Sequence, residues 1–147
     1  MARIPRAVSR WPTQDAPPGW FYVPTERRDQ VGQWISPGSL ARRGNVHGLL
    51  IIESKPAVAG ARADVFAQEF ADKAGGQVTN DTLGGERAWR IGTNLHADAP
   101  DLETVDALVV LHNKRIIILS LLEMPDYSYH HEFDFVRDHW KWMPVSP

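Results

Sequence analysis

The stretch "TVDALVVLHNKRIIILSLLEM" constrains the fold more than any other part of the chain. Its two β-rich runs flank Asn113-Lys114, and Asn at the first turn position tolerates the left-handed backbone of a tight hairpin. If His112 faces Arg115 across that turn, both faces of the hairpin are apolar, so we expect it at the centre of a sheet that is covered on both sides. One face would hold Leu108, Val110, Ile117, Leu119 and Leu121, and the other Val105, Val109, Leu111, Ile116, Ile118 and Leu122.

Five more β-rich segments are predicted upstream of this hairpin. The first two could pair as a hairpin, and Lys55-Pro56 ends the third. The fourth and fifth are joined by Gly84-Gly85, a dipeptide that supplies the positive φ angles of a tight turn. These segments are residues 19–23, 30–36, 47–54, 77–83 and 86–94.

The segment "ARADVFAQEFADKAGG" predicts an amphipathic helix. Phe66, Phe70 and Ala74 stand four residues apart and therefore share one face. Ala63 and Ala67 flank this stripe, and Gly75-Gly76 is typical of a helix end. We expect this helix to be one of the two that cover the sheet.

The segment "YHHEFDFVRDHWKWM" predicts a second helix near the end of the chain. Burial of one apolar side chain contributes on the order of 1.5–3 kcal/mol before entropy, so core packing alone accounts for a single apolar stripe. A second arc makes the apolar face wider than one sheet contact requires. The core stripe is Tyr129, Phe133, Val136, Trp140 and Met143, and the second arc is His131, Phe135, His139 and Trp142.

Two places in the sequence offer candidate metal ligands. His130 and Asp134 have the four-residue spacing of two ligands on one helix, although an ordinary helix-surface pair has the same spacing. The acidic loop before the central hairpin adds His96 and Asp98. Calcium-loop spacing is missing there and a solvated loop is the favoured interpretation, so no metal and no cofactor are expected.

Several function classes find no support in the composition or the motifs. The formal net charge of -2 removes the broad attraction that nonspecific nucleic-acid binding needs. The longest strongly apolar run, Ile116 to Leu122, is far shorter than the ~20 residues of a membrane helix. Cysteine is absent, and neither a nucleophile elbow nor a phosphate-binding turn occurs. We therefore expect a protein that is not an enzyme and that does not insert into a membrane.

Proline marks the expected domain organisation. Residues 1–18 are rich in proline and lack periodicity, so they predict an extended arm, and residues 19–147 predict a single domain. The first residues carry arginines but no apolar signal core, which favours a cytoplasmic location.

The order of these elements resembles the PsbP-like superfamily, which includes photosystem accessory proteins, the Mog-type Ran-binding import factor and bacterial DcrB and LpqN relatives. In that family, as here, a helix leads through glycine into a hairpin around "L-G-G-x-x-A", and a terminal helix ends in a tryptophan-bearing pattern. The resemblance implies an α/β (α+β) sandwich, mainly an antiparallel sheet built from hairpins, with helices on both faces. It extends from about Gly19 to Met143 and rests on "GW", "FAQEFADKAGG", "LGGERAWRI", "VVLHNKRIIILSL" and "FDFVRDHWKW".

Members of the PsbP-like superfamily are mainly binding modules and accessory subunits, so the resemblance implies a noncatalytic protein-binding role, with a homodimer as one option. Related Eag-type chaperones of type VI secretion effectors suggest an alternative, a chaperone that cradles apolar effector helices. A small-ligand site, a metal site or an unrecognised enzyme that uses the His/Asp loop and the last helix is a further alternative. Phe135, Trp142 and His131 of the last helix would form an interface if they are exposed, because exposed aromatic patches often mark interfaces. The alternative is that loops or the N-terminal arm cover these rings. The candidate partner contacts are Trp34, His131, Phe135, His139 and Trp142.

Overall fold

A computed structural model describes residues 17–23, 30–37, 46–93, 102–124 and 127–142. The described residues form one sheet of seven strands in the order β1-β2-β3-β7-β6-β5-β4, and two helices. Every pair of neighbouring strands is antiparallel, which confirms a mainly antiparallel α+β architecture. The elements are β1 (Phe21–Val23), β2 (Gln30–Ile35), β3 (Gly48–Pro56), α1 (Ala63–Ala74), β4 (Gln77–Leu83), β5 (Glu86–Gly92), β6 (Glu103–His112), β7 (Arg115–Glu123) and α2 (His130–Asp138).

The β6–β7 hairpin lies at the centre of the sheet, as predicted. β5 pairs with β6 and β3 pairs with β7, so both central strands have two neighbours. Asn113 and Lys114 have φ angles of 48° and 62°, which are the two positive values that a two-residue hairpin turn needs. His112 faces Arg115 across the turn.

The prediction for Val105 was wrong. The pairing of β6 with β7 shifts register between Thr104 and Asp106, and an extra residue at a bulge reverses the face of the side chains around it. Val105 therefore packs with Leu108 in the same cluster instead of on the opposite face. Leu111, predicted to be covered, is exposed at the end of β6.

The other predicted hairpins are also present. β1 pairs with β2, and β4 pairs with β5 through Gly84 and Gly85, whose φ angles are 58° and 80°. β3 continues to Pro56, beyond the predicted end at Ser54, because it remains paired with β7 up to that residue. The N–H of Ala57 donates to the Lys114 carbonyl beside β7, so the nitrogen of Pro56 lies on the other side of β3, where the described part of β2 pairs only as far as Glu53.

Most of the buried apolar side chains among the described residues belong to two clusters. The first cluster contains Phe133 of α2, and the second contains the buried alanines of α1. Successive residues of β6 alternate between them, with Leu108 in the first cluster and Ala107 and Val109 in the second. The main contacts of α1 are with β4, β5 and β6.

α1 is an amphipathic helix, as predicted, but its most deeply buried side chains are alanines beside the phenylalanine stripe. Its fully buried residues are Ala63, Ala67 and Ala71, whereas Phe66 and Phe70 are only partly buried at the margin of the second cluster. Ala74, which was predicted to share the phenylalanine stripe, is exposed. Small side chains let the helix axis approach the sheet closely, and the rings then fill the space at the sides of the helix.

α2 is shorter than the predicted helix. It ends at Asp138, and residues 140–142 are not helical, while Met143 lies outside the described residues. Trp140 is nevertheless buried, as the core stripe required. Trp140 and Trp142 meet edge to face, with ring centroids 5.4 Å apart. Because residues 140–142 are not helical, the rings of Trp140 and Trp142 can both reach the first cluster although they are only two residues apart.

Within the described ranges, neither helix has the length and apolar character needed to cross a membrane.

Candidate functional site

A cluster of charged side chains lies between the sheet and α2, with Arg90 at its centre. Arg90 on β5 donates two hydrogen bonds to Asp106 on β6, from Nε to Oδ1 at 2.9 Å and from Nη2 to Oδ2 at 2.5 Å. The Asp106 side chain is only 4% exposed. The guanidinium carbon also lies over the ring of Phe133, 5.2 Å from its centroid. Arg90 is thus sandwiched between a buried carboxylate and an aromatic face, which is a favourable site for a cation.

α2 adds charges of both signs to this cluster. Asp134 Oδ1 is 2.9 Å from Arg90 Nη2, and Arg137 Nη1 is 3.2 Å from Oδ2 of Asp81 on β4. The hydrogen bonds to Asp106 raise the pKa of Arg90 above its already high ordinary value, and the charges of Asp106 and Asp134 act in the same direction. α2 is therefore tied to β4 and β5 by ion pairs as well as by apolar packing.

The predicted pairing of His130 with Asp134 is replaced by other partners. His130 Nδ1 is 3.3 Å from Asp106 Oδ2, and His130 Nε2 is 3.9 Å from Oε1 of Glu123, while Asp134 pairs with Arg90. The described residues contain no group of three or more His, Cys, Asp or Glu side chains that could hold a metal ion. Arg90 supplies positive charge to the carboxylates of Asp106 and Asp134. The candidates His96 and Asp98 lie outside the described residues.

Glu123 is buried at the N-terminal end of α2. Its Oε2 accepts the backbone N–H of Tyr129 at 2.9 Å. Burial raises the pKa of this carboxyl above its ordinary value of 4.5, and the charges of Asp106 and Glu132 raise it further, while the Tyr129 N–H and His130 act against this shift. Ionised Glu123 is therefore a destabilising charge near neutral pH.

We expect Glu123→Gln to be more stable than the wild type near neutral pH. The amide keeps an oxygen for the Tyr129 N–H but removes the buried charge. Because folding raises the pKa of Glu123, its contribution to the free energy of unfolding is fully present below the unfolded pKa and is lost as pH rises through the folded pKa. Urea titrations at several pH values should show the advantage of the variant shrinking as pH falls toward 4.5. If the difference in the free energy of unfolding between the variant and the wild type did not change with pH, the buried charge of Glu123 would not be its cause.

The aromatic flank of the C-terminal segment is divided between surface and core. Phe135 is partly buried and stacks on His139, with ring centroids 4.0 Å apart, while His131 is exposed. Trp142 instead lies flat on His112, at 3.6 Å between centroids, and His112 Nδ1 pairs with the Glu86 carboxylate. Phe135, His139 and His131 therefore remain candidate contacts, whereas the Trp142 ring packs mainly against its own domain.

The turn between β4 and β5 explains why Trp142 can pack so closely. A Cβ atom on Gly84 would lie 2.5 Å from Nε1 of Trp142, so only glycine leaves room for the ring. The N-terminal candidate Trp34 is also in the core, since it is 6% exposed and its ring lies 5.4 Å from that of Tyr22. The Trp34 ring offers little surface to a partner.

A row of apolar side chains crosses the other half of the sheet, and no local sequence pattern predicts it. Four residues are directly paired, Phe21 with Ile35, Ile35 with Leu49, and Leu49 with Leu122, and we call this row the apolar ladder. Leu122 is four residues from Ile118 of the second cluster, so the ladder lies on the same face of the sheet as α1. Each strand contributes one residue, and only the strand register reveals the row.

Part of the apolar ladder is accessible in the described part of the chain. Phe21 is 45% exposed and Leu49 and Leu122 are partly buried, whereas Ile35 is buried at 8% exposure. Ile51, two residues from Leu49 and therefore on the same face, is also only partly buried. The main contacts of α1 are with β4 to β6, so α1 packs mainly beside the ladder.

Comparisons with protein-family models, with curated proteins and with solved structures found no match to this chain.

Proposed function

We propose that this chain is a noncatalytic protein-binding module, or an accessory subunit of a larger assembly, that contacts its partner through the apolar ladder. The observation that carries the proposal is the partial exposure of Phe21, Leu49 and Leu122, three of the four ladder residues, on strands that are not the main contacts of α1. Contiguous apolar surface of this kind on a soluble domain typically marks an interaction site. Phe21, at 45% exposure, would be the aromatic anchor of the interface.

The charged cluster around Arg90 fits a structural role within such a module. Its buried acid Asp106 has Arg90 as a bidentate partner, and Asp81 has Arg137. A cluster whose charges compensate one another fixes α2 on the sheet. It supports a rigid scaffold on which the binding surface is presented.

We further propose that the helices cover opposite faces of the sheet, as in the PsbP-like α/β/α sandwich. The alternation of β6 residues between the two clusters supports this arrangement, because successive side chains of a strand point to opposite faces. In this interpretation α1 covers only half of its face, and the partner completes the layer.

The dimensions of the apolar ladder favour a chaperone of apolar helices as a second candidate function. Four strands at ~4.8 Å spacing present a surface about 14 Å wide, which accommodates one helix of ~10 Å diameter. A client helix could then lie on β1 to β3 beside α1. This is the geometry expected of an Eag-like chaperone for secretion effectors.

The proposal can be tested by replacing Phe21 with the photoreactive analogue p-benzoylphenylalanine in the full chain. Irradiation in an extract of the native source is expected to attach a distinct partner protein, and Leu49→Glu in the same chain is expected to abolish that product, because a buried carboxylate weakens an apolar interface. Tyr127, an aromatic residue of similar exposure at 40%, provides the control position for the same analogue. Identical products from both positions, or a product that Leu49→Glu leaves unchanged, would contradict the proposal.

A further inference from the structure

The outer edge of β4 differs from the edge at the other end of the sheet. β1 has three residues, so the described part of that edge offers little backbone for pairing. β4 has seven residues, Gln77 to Leu83, and it is the last strand in the order of the described sheet. Lysine, proline and bulges commonly protect sheet edges from association, and β4 contains neither lysine nor proline and is paired with β5 without a register shift.

The hairpin turn determines which backbone groups of β4 face outward. The two-residue turn closes on the pair Leu83 and Glu86, and in such a hairpin this pair is hydrogen-bonded. Bonded and non-bonded pairs then alternate, so the N–H and C=O groups of Val78, Asn80 and Thr82 point away from β5. The N–H of Thr82 agrees with this assignment, because it donates to Oδ1 of Asp81 at 2.7 Å and not to the backbone of β5.

We propose that β4 is a homodimer interface, at which two copies of this chain pair antiparallel across a two-fold axis between their Thr79 residues. In this register Val78 of each copy faces Asn80 of the other, and these two pairs exchange their outward-facing backbone hydrogen bonds. The register leaves the bond between Thr82 and Asp81 intact. Two sheets would thereby become one continuous sheet, an interaction that is independent of the apolar ladder.

The side chains of β4 are self-complementary in this register. The two Thr79 residues would meet at a close, non-hydrogen-bonded pair, and Thr–Thr pairs are favourable across antiparallel strands. Asp81, the one charged residue of β4, would face the neutral amide of Gln77. This register therefore places no like charges directly opposite one another. A symmetric pairing centred on Asp81 would instead bring the two Asp81 carboxylates face to face, which is destabilising.

The interface is small, so the dimer is expected to be weak. Pairing of one edge strand lies below the ~1,200 Å² of stable interfaces, and a dissociation constant on the order of tens of micromolar is expected. Sedimentation velocity over a concentration series should therefore show a monomer–dimer equilibrium.

Single cysteines provide a direct test, because the chain contains no cysteine. Thr79→Cys is expected to form a disulfide-linked dimer rapidly under mild oxidation, since Cα atoms of a non-hydrogen-bonded pair are ~4.5 Å apart. Thr82→Cys is the matched control, an exposed threonine on the same strand whose two copies would be separated by ~20 Å. Equal crosslinking at both positions would overturn the proposed interface.

A second variant tests the backbone pairing itself. Asn80→Pro removes an outward-facing N–H without removing a bond to β5, so the circular dichroism spectrum should remain that of the wild type while the dimer is lost. Asn80→Thr retains the N–H and should still dimerise. A wild-type chain that stays monomeric at several hundred micromolar, or a folded Asn80→Pro variant that dimerises as the wild type does, would contradict the proposal.

Discussion

Arg90→Met is expected to lower the free energy of unfolding by about 3–5 kcal/mol, as typically found when one partner of a buried ion pair is removed. The substitution retains an apolar side chain of similar length but leaves the Asp106 carboxylate, 4% exposed, without its bidentate cation. Asp81 and Asp134 would lose part of their compensation as well. Unfolding in urea, monitored by tryptophan fluorescence, measures the loss.

Arg87→Met is the matched control for this substitution. Arg87 lies on the same strand as Arg90 but is exposed, and its guanidinium lies 5.3 Å from the centroid of the Trp89 ring. A loss of less than about 1 kcal/mol is expected, since exposed cation–π contacts are worth ~0.5–1 kcal/mol. Combining Arg90→Met with Asp106→Leu should recover part of the stability, because it removes the stranded carboxylate. If Arg90→Met behaved like Arg87→Met, the cluster would not be the desolvated network that we describe.

The hairpins were predictable from sequence because their signals are local. Gly84-Gly85 and Asn113-Lys114 specify two-residue turns within a few residues, and the turn geometry then sets the strand register. The central position of β6 and β7 followed from their two apolar faces. The bulge that turns Val105 toward the first cluster leaves no comparable mark in the sequence, since it depends on how the paired strands accommodate one extra residue.

The charged cluster and the apolar ladder could not be found by local reasoning. Arg90 and Asp106 are sixteen residues apart along the chain, and Asp134 belongs to a third element, so their convergence depends on the strand order. The helical pattern of the C-terminal segment placed Asp134 next to His130 on one helix face, but tertiary ion pairing with the more deeply buried Arg90 gives a larger gain than a surface pair. The ladder combines one residue from each of four strands and likewise requires the register.

Phe133→Ala is expected to cost about 3–5 kcal/mol of the free energy of unfolding, the usual range for removing a fully buried phenylalanine ring. Phe133 is 0% exposed and is the only fully buried residue of α2 among those described. Phe135→Ala on the same helix is the control, with an expected loss near 1 kcal/mol because that ring is partly exposed and stacks on His139.

The ring of Phe133 also supports Arg90, so the two substitutions should not be additive. Once the ring is absent, water gains access to the cluster, so removal of the guanidinium leaves Asp106 in a better solvated site and costs less than it does in the intact cluster. A double-mutant cycle with Phe133→Ala and Arg90→Met is expected to give a coupling of about 0.5–3 kcal/mol. Additive losses would mean that the aromatic core and the charged cluster hold α2 on the sheet independently. Coupled losses would mean that α2 docks as one unit. Any partner that displaces the helix must then break the aromatic and the ionic contacts together.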